Sequence, residues 1–233
     1  MSSSARLSVE MRHRLGALEL AVSFRTEAAW TILFGPSGSG KSTVLRAVAG
    51  GVRPSSGRIS VGDDVVLDQG IFVAAHRRPV RMAPQAAALF PRMTVRENLA
   101  FGAGERMVVE ALERFGLAGM ADKYPRQLSG GEQKRVAVVR AAASAVARGA
   151  GTLLLLDEPF AGLDARIRDE LLRELMPWLA EAGIATLSVT HDVAEAFLIG
   201  AEVVRMAEGR VVAQGAVFAV LAEDRERLLE LLR

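Results

Sequence analysis

The sequence predicts an α/β fold with a parallel central sheet, a small antiparallel β lobe before it and a helical lobe inserted into it. One sign is the apolar run Trp30–Phe34, which is followed by a glycine-rich loop and then by helical spacing. Another is the run Thr152–Glu158, whose apolar part is too continuous for a strand with one exposed face. Both runs indicate buried parallel strands that are joined through helices.

The composition is that of one large domain with a sizeable core, since 50% of the 233 residues are hydrophobic. The 29 Lys and Arg residues face 27 Asp and Glu residues, and a net charge of +2 is too small for a nucleic-acid-binding surface. No nucleic-acid partner is therefore expected. The sequence has no cysteine, which excludes disulfide bonds and thiol catalysis.

No stretch of the sequence resembles a secretory signal or a membrane span. Residues 1–6 lack an apolar region, and no run approaches the roughly 18 uncharged apolar residues that a span requires. The sequence therefore predicts a cytoplasmic protein.

The antiparallel β lobe is predicted from short alternating runs near the N-terminus. Leu7–Arg12 and Leu18–Phe24 alternate well enough to form two strands joined around Leu15-Gly16. Two further strands are predicted over Arg58–Val61 and Val65–Leu67, separated by a glycine turn.

The helical lobe is predicted from spacing that begins at Thr94. Thr94 followed by Glu97 is the signature of a capping box, so a helix should begin there. Further helices are predicted over Glu105–Phe115 and Gly130–Arg148. The approximate limits within a single domain of 1–233 are 1–85 and 150–233 for the core with its β lobe and 86–149 for the helical lobe.

The α/β pattern resumes after the second apolar run. A helix is predicted from about Ala165 to Ala182, and a strand over Ala185–Thr190. A hairpin of Val203–Met206 and Arg210–Gln214 should precede a last helix from about Ala216.

The glycine-rich loop matches the phosphate-binding pattern G-x-x-x-x-G-K-[ST] without a mismatch. Its glycines let backbone N–H groups face a phosphate chain, and the following helix adds the positive end of its dipole. Lys41 is expected to bind the β- and γ-phosphates, and Ser42 a Mg²⁺ ion. An ordinary Gly/Ser-rich turn would not explain a Lys-Ser pair at this spacing. The predicted phosphate site comprises Gly35, Pro36, Ser37, Gly38, Ser39, Gly40, Lys41, Ser42 and Thr43.

An acidic pair, Asp157 and Glu158, ends the second apolar run. Parallel strands would bring these carboxylates to the phosphates, where Asp157 would bind Mg²⁺ through water and Glu158 would be the general base for the attacking water. Acidic pairs at strand ends are also common surface features. The phosphate loop upstream is what favours the catalytic interpretation.

Ser129, Gly130 and Gly131 open a predicted helix with residue types that expose backbone donors to an anion. Two interpretations remain open. One is a second phosphate site, which would most simply serve a nucleotide held by another copy of the chain. The other is an ordinary serine N-cap whose capping box is completed by Glu132.

This combination of motifs, including the run Leu128-Ser129-Gly130-Gly131-Glu132-Gln133 before the acidic pair, resembles the ABC ATPase family, the nucleotide-binding subunits of ABC transporters. The resemblance extends from about Leu7 to the end. It implies a RecA-like P-loop core, ATP hydrolysis with ATP and Mg²⁺ as cofactors, and a head-to-tail dimer that closes on ATP. It also implies integral membrane permease subunits as partners and a peripheral location on the inner face of the cell membrane.

The resemblance assigns roles to three further residues. Gln85 is similar to the family glutamine that senses Mg²⁺ and water and faces the membrane partner. Asp164 is similar to the aspartate of the D-loop at the dimer interface, and His191 to the switch histidine that contacts the γ-phosphate. Without the resemblance, a histidine at a strand end is more typical of a structural or surface residue.

The sequence departs from the usual family pattern at three places. Glu132 replaces the commoner Gln, no adenine-stacking aromatic is evident around His13, and Met82-Ala83-Pro84 precedes Gln85 where aromatic residues are more usual. Within the family, three segments resemble those of the ATPase subunits of oxyanion importers, especially molybdate-type ones. These segments lie around Gly70-Ile71-Phe72, Arg77-Arg78 and Leu89-Phe90-Pro91. The C-terminal regulatory β-domain of those subunits is not expected here.

Two rival functions follow from the same motifs. One is an ABC-type ATPase that acts on nucleic acid or ribosomes without a membrane partner, which the small net charge and the lack of coiled coils or tandem halves disfavour. The other is a nucleotide-binding protein without hydrolysis.

Overall fold

The computed structural model describes residues 6–200 and 202–231. The chain divides into two compact units. The first unit comprises Met1–Pro79 and Thr186–Arg233, and the second comprises Val80–Ala185. The domain limits given above stay a prediction.

The described residues form eleven strands and eight α-helices. The strands are β1 (Leu7–Leu15), β2 (Leu18–Thr26), β3 (Trp30–Phe34), β4 (Ser56–Val61), β5 (Asp64–Asp68), β6 (Ile71–Phe72), β7 (Val80–Ala83), β8 (Leu153–Asp157), β9 (Ala185–Thr190), β10 (Glu202–Ala207) and β11 (Arg210–Ala216). The helices are α1 (Lys41–Ala49), α2 (Val95–Ala100), α3 (Glu105–Arg114), α4 (Gly130–Arg148), α5 (Ala165–Glu181), α6 (Val193–Ile199), α7 (Val217–Val220) and α8 (Ala222–Leu231).

The sheet of the first unit joins an antiparallel part to a parallel part, in the order β6-β5-β4-β1-β2-β11-β10-β3-β9. β1 pairs antiparallel with β2 and with β4, so the predicted N-terminal hairpin is confirmed. β3 pairs parallel with both β9 and β10. All five residues of β3 are buried, as its continuous apolar run predicts for a central strand.

The helices of the first unit differ from the prediction in two places. The sequence analysis missed α6, a short helix whose N-cap Asp192 accepts a hydrogen bond from the backbone N–H of Glu195. The predicted last helix is divided into α7 and α8, because Leu221 between them leaves the helical conformation and is fully buried.

The second unit contains a parallel strand pair and the four helices α2 to α5. β7 pairs with β8 from Val80 and Leu153 to Ala83 and Leu156. The alanine-rich face of α4 lies against β7, where small side chains allow helix and strand to come close. The predicted capping box of Thr94 and Glu97 is confirmed at the start of α2.

Helix α4 matches its predicted bounds, and α5 ends one residue before its predicted end at Ala182. Strand β9 also matches its prediction. Among the residues that the structure describes, no helix is long and apolar enough to cross a membrane.

Arg78 is fully buried in the first unit. Its Nη1 donates to the carbonyl oxygens of Ala47 at 2.7 Å and Val48 at 2.8 Å, in the last turn of α1. Its Nε donates to the carbonyl oxygen of Val73 at 2.8 Å. Burial lowers the pKa of this guanidinium, and its positive charge lies at the negative end of the α1 dipole. Arg78 thus fixes the far end of the helix that follows the glycine-rich loop.

Arg78→Met should lower the free energy of unfolding by about 3 kcal/mol, because three buried carbonyl oxygens lose a charged donor. Urea unfolding followed by circular dichroism measures the change. Arg77→Met is the matched control, since Arg77 is exposed and its replacement should stay within about 0.5 kcal/mol. Equal effects of the two substitutions would contradict the role given to Arg78.

Candidate functional site

The glycine-rich loop of the first unit lies at the carboxyl end of the buried strand β3. Parallel sheets bind ligands at this end, outside the strands. Gly40 is the N-cap of α1 with φ of 100°, and a Cβ there would lie 2.2 Å from the side chain of Leu20. A Cβ on Gly35 would lie 2.1 Å from the carbonyl oxygen of Met206. The loop therefore lies directly against β2 and β10, with no room for side chains at these two positions.

Lys41 is buried within this loop, with 5% of the residue exposed. Its Nζ donates to the carbonyl oxygens of Gly35 at 2.8 Å and Pro36 at 2.9 Å. The buried hydroxyl of Ser39 has no hydrogen-bond partner among the described residues. An ammonium group and an unsatisfied hydroxyl in one narrow loop fit a phosphate chain as their ligand.

The first turn of α1 contains no acidic side chain. The positive end of its dipole is therefore not neutralised from within the helix. Helix α4 differs, because Glu132 lies in its first turn. The N-terminus of α1 is the better anion site of the two in the isolated chain.

His191 lies at the same sheet edge as the glycine-rich loop. The register pairs Phe34 of β3 with Thr190 of β9, so Gly35 and His191 each follow one residue of that pair. The hydroxyl of Thr190 accepts a hydrogen bond from the N–H of Asp192 at 3.0 Å, which fixes the backbone around the exposed imidazole. The structure thus brings together two elements that are 156 positions apart in the sequence.

The second unit brings Gln85 to the acidic pair. The register pairs Ala83 with Leu156, and Gln85 and Glu158 each follow one residue of that pair by two positions. The amide Nε2 of Gln85 donates to Oε2 of Glu158 at 3.0 Å. Asp157 is buried, with 5% exposed.

Glu158 has a left-handed backbone, with φ of 47°. This conformation is uncommon for residues other than glycine, and such strained residues cluster at functional sites. The strained backbone directs the carboxylate of Glu158 away from the strand direction of β8 and, in this structure, to Gln85.

The N-terminus of α4 carries a complete capping box. The N–H and Oγ of Ser129 donate to Oε2 of Glu132 at 2.7 and 2.8 Å, and the N–H of Glu132 donates to Oγ of Ser129 at 3.3 Å. The capping interpretation of this motif is confirmed. The phosphate-site interpretation stays a prediction.

Gly130 has no structural reason to be glycine within the described chain. A Cβ at this position would meet nothing within 4 Å, and its φ is not in the left-handed range. A glycine that the fold of the described chain does not require is consistent with close approach of a group from outside the chain.

Asp164 is exposed and is the N-cap of α5, where its carboxylate accepts from the N–H of Arg166 at 2.8 Å. A Cβ on Gly131 would lie 3.4 Å from the side chain of Leu163. The Ser129–Gly131 turn and the segment before α5 are therefore neighbours within the second unit. The interface role of Asp164 stays a prediction.

The residues expected to bind Mg²⁺ are Ser42, Gln85 and Asp157. They offer a hydroxyl, an amide oxygen and a carboxylate, and such oxygen donors fit Mg²⁺, which binds few protein ligands and keeps water and phosphate oxygens. Within the described ranges, no group of three or more His, Cys, Asp or Glu residues forms a metal site of its own.

Asn98 and Arg140 are two polar residues that contact the segment after Gln85 and that the sequence analysis did not single out. Asn98 occurs between Val95 and Leu99 in α2 and is fully buried with them. The sequence could have pointed to Asn98, because an asparagine among the apolar residues of a short helix must find hydrogen-bond partners when it is buried. Arg140 has no comparable signal, because basic residues on helices are common.

The comparisons with known proteins agree with this geometry. A family model described as ABC transporter matches residues 20–161. The molybdenum import ATP-binding protein ModC of Rhodospirillum rubrum is 40% identical over 225 residues, which cover 93% of this chain and 60% of that protein. The Fe(3+) ions import ATP-binding protein FbpC of Pseudomonas fluorescens is 39% identical over 203 residues, covering 84% and 56%. The chain thus spans about 60% of the length of such relatives.

Solved structures share the fold. A structure of the ATP-binding subunit of an ABC transporter has a TM-score of 0.78 and 25% identity, over 97% of this chain and 99% of that one. A bacterial Atm1-family ABC exporter with ATP bound has the same TM-score at 24% identity, over 96% of this chain and 41% of that one. The predicted fold class, a RecA-like P-loop core with a β lobe and a helical lobe, is confirmed.

Glu132→Gln should make folding stability less dependent on pH. Hydrogen bonds from the backbone and side chain of Ser129 lower the pKa of Glu132 below its ordinary value of 4.5. A carboxyl group whose pKa is lowered by folding stabilises the fold at pH values above its pKa in the unfolded state. This contribution is lost as the pH falls through the lowered pKa of the folded state. Glutamine keeps an acceptor oxygen, so the variant should be less stable by only about 0.5 kcal/mol at pH 7.

Thermal unfolding between about pH 7 and about pH 2 measures this effect. The difference between the variant and the parent should shrink as the pH falls. Glu113→Gln is the control, because Glu113 is exposed on α3 and lies outside the first turn of its helix. A stability difference that is the same at every pH would contradict the capping account.

Proposed function

Because the chain belongs to the ABC transporter family, we propose that it binds MgATP and hydrolyses it to drive a membrane transport step. The observation that carries the proposal is the glycine-rich loop with the buried ammonium of Lys41 inside it. The first unit would provide phosphate binding, and the second unit would provide the base for hydrolysis.

The phosphates are bound by the residues Gly35 to Thr43. Lys41 exchanges its hydrogen bonds with the loop carbonyls for stronger ones with the β- and γ-phosphates, since charge-assisted bonds to anions are the stronger kind. Backbone N–H groups at the start of α1 bind the remaining oxygens. His191, at the same sheet edge, binds the γ-phosphate.

Hydrolysis proceeds by in-line attack of water on the γ-phosphorus. Glu158 accepts the proton of the attacking water, and Gln85 orients that water through the amide that now contacts Glu158. Ser42, Asp157 and the amide oxygen of Gln85 are the groups that would hold Mg²⁺, which would supply charge neutralisation at the phosphates. Lys41 neutralises charge that develops on the transferring phosphoryl group.

A second copy of the chain completes each site. Ser129, Gly130 and Gly131 of one copy would bind the γ-phosphate held by the loop of the other, and Asp164 would lie at the interface. Gly130 supports this role, because the fold of the chain does not require a glycine there. Closure of such a head-to-tail pair on ATP would transmit motion to permease subunits at the inner face of the membrane.

The transported substrate is proposed to be an oxyanion such as molybdate. Relatives at 37–40% identity are named for molybdenum import and for Fe(3+) import, so these two ions are the candidates to compare. Co-purification with the membrane subunits, followed by ATP hydrolysis in proteoliposomes with each substrate-loaded binding protein, decides between them. Stimulation by Fe(3+) and not by molybdate would reject the oxyanion proposal.

Glu158→Gln should retain ATP binding, lower phosphate release at least about 100-fold and accumulate a dimer in MgATP, because the base is lost while phosphate binding is kept. Phosphate release and gel filtration measure these effects. Glu181→Gln is the control, since Glu181 is exposed at the end of α5. Normal turnover by Glu158→Gln would show that another group is the base.

A further inference from the structure

Residues 84–93, called here the linking segment, run from β7 to the N-cap of α2 and contain no strand or helix. Gln85 lies at its beginning and contacts Glu158. The end of β7 fixes one side of this contact through the pairing of Ala83 with Leu156. The part of the linking segment that follows Gln85 is also held in place, by two polar side chains.

Asn98 of α2 is the first of these side chains and is fully buried. Its Oδ1 accepts from the N–H of Phe90 at 2.8 Å, and its Nδ2 donates to the carbonyl oxygens of Met93 at 3.0 Å and Thr94 at 2.9 Å. The amide thus replaces the backbone partners that a strand or helix would supply. It holds the second half of the linking segment.

Arg140 of α4 is the second of these side chains. It contacts Ala88, which is closer to Gln85 in the sequence than the residues that Asn98 contacts. Its Nη2 donates to the carbonyl oxygen of Ala88 at 3.0 Å, and its Nη1 donates to Oδ1 of Asn98 at 3.3 Å. Its guanidinium carbon lies 5.2 Å from the ring centre of Phe90. One planar cation therefore contacts a carbonyl oxygen, a side-chain amide and an aromatic ring, a combination that a lysine could not reproduce.

Ala88 shows that this attachment constrains the backbone. Its φ of 46° is in the left-handed region, which is unfavourable for alanine. Such a conformation persists only where the surroundings impose it. The carbonyl oxygen of this residue is the one that accepts the hydrogen bond from Arg140.

We propose that Arg140 is a positioning residue for ATP hydrolysis, because it fixes Ala88 three residues after Gln85 and so sets the approach of the Gln85 amide to Glu158. Two residues, 86 and 87, separate the fixed carbonyl from Gln85 and leave at most about 10 Å of chain. The inference rests on the proposed roles of Gln85 and Glu158.

The same contact joins the middle of α4, the helix that begins at the Ser129–Gly131 turn, to the linking segment. Arg140 is ten residues after Gly130, about 15 Å along the helix. A helix transmits displacement along its axis without bending over this length. A shift at the Ser129–Gly131 turn is therefore passed by Arg140 to the linking segment and to Gln85.

A double-mutant cycle tests the proposal on the full chain. Arg140→Met should lower kcat for ATP about tenfold or more, with less than about a twofold change in KM, since misplaced groups impair the reaction more than binding. In a Gln85→Ala background the same substitution should lower kcat less than about twofold further, because its effect passes through Gln85. Fully additive effects on kcat would overturn the proposal.

Hydrogen–deuterium exchange of residues 84–93 is the second measurement and needs no turnover. Arg140→Met should accelerate exchange in this segment about tenfold or more, and Arg106→Met, an exposed arginine of α3, should not. Unchanged exchange would overturn the proposal. If Arg140→Met does not fold, Arg140→Lys takes its place with the same expected directions.

The two measurements separate this proposal from the proposed function. Accelerated exchange with an additive cycle would reject the positioning role while leaving ATP hydrolysis by the chain in place. Full activity of Glu158→Gln would reject the catalytic assignment itself, and with it the path from Arg140 to the reaction.

Discussion

The ammonium group of Lys41 lies inside its own loop, bound to the carbonyl oxygens of Gly35 and Pro36. The loop around this cation leaves no room for a Cβ at two of its glycines, because neighbouring strands lie against it. Gly35 lies against the backbone of β10, and Gly40 lies against Leu20 of β2. At the far end of α1, Arg78 bonds the last carbonyl oxygens of the helix. Strand, loop and helix are therefore held at both ends around one cation.

The second unit depends on a different constraint, the placing of a carboxylate and an amide at adjacent strand ends. The pairing of β7 with β8 brings Gln85 to Glu158, and the left-handed backbone of Glu158 turns its side chain to that amide. The linking segment then needs polar side chains to satisfy its backbone, because it has no regular structure. Asn98 and Arg140 meet this need, and Arg140 does so from the helix that also carries the Ser129–Gly131 turn.

Local patterns in the sequence predicted most strands, most helices and the phosphate loop, but they did not predict β6 and β7. The bounds of α4 and β9 were predictable because capping residues and continuous apolar runs define them within a few residues. Helix α6 was missed because seven residues provide too little periodicity, although Asp192 is a regular N-cap. The break at Leu221 depends on tertiary burial and has no local signature.

The candidate site also has one part that the sequence predicts and another part that only the structure shows. The phosphate loop and the acidic pair have motifs of fixed spacing, and the sequence alone located them. The contact of Gln85 with Glu158 depends on strand pairing over 73 positions, and the bond from Arg140 to Ala88 on helix packing over 52 positions. Neither spacing is visible as a pattern, so only the structure shows these two contacts.

The central claim is that the loop around Lys41 binds the phosphate chain of ATP. Equilibrium titration of the purified chain with MgATP and with AMP, for the parent and for Lys41→Met, tests it most directly. The parent should prefer ATP at least about tenfold, the value of one charge-assisted hydrogen bond, and Lys41→Met should lose that preference. Equal affinity of the parent for the two nucleotides, or an unchanged preference in Lys41→Met, would contradict the account.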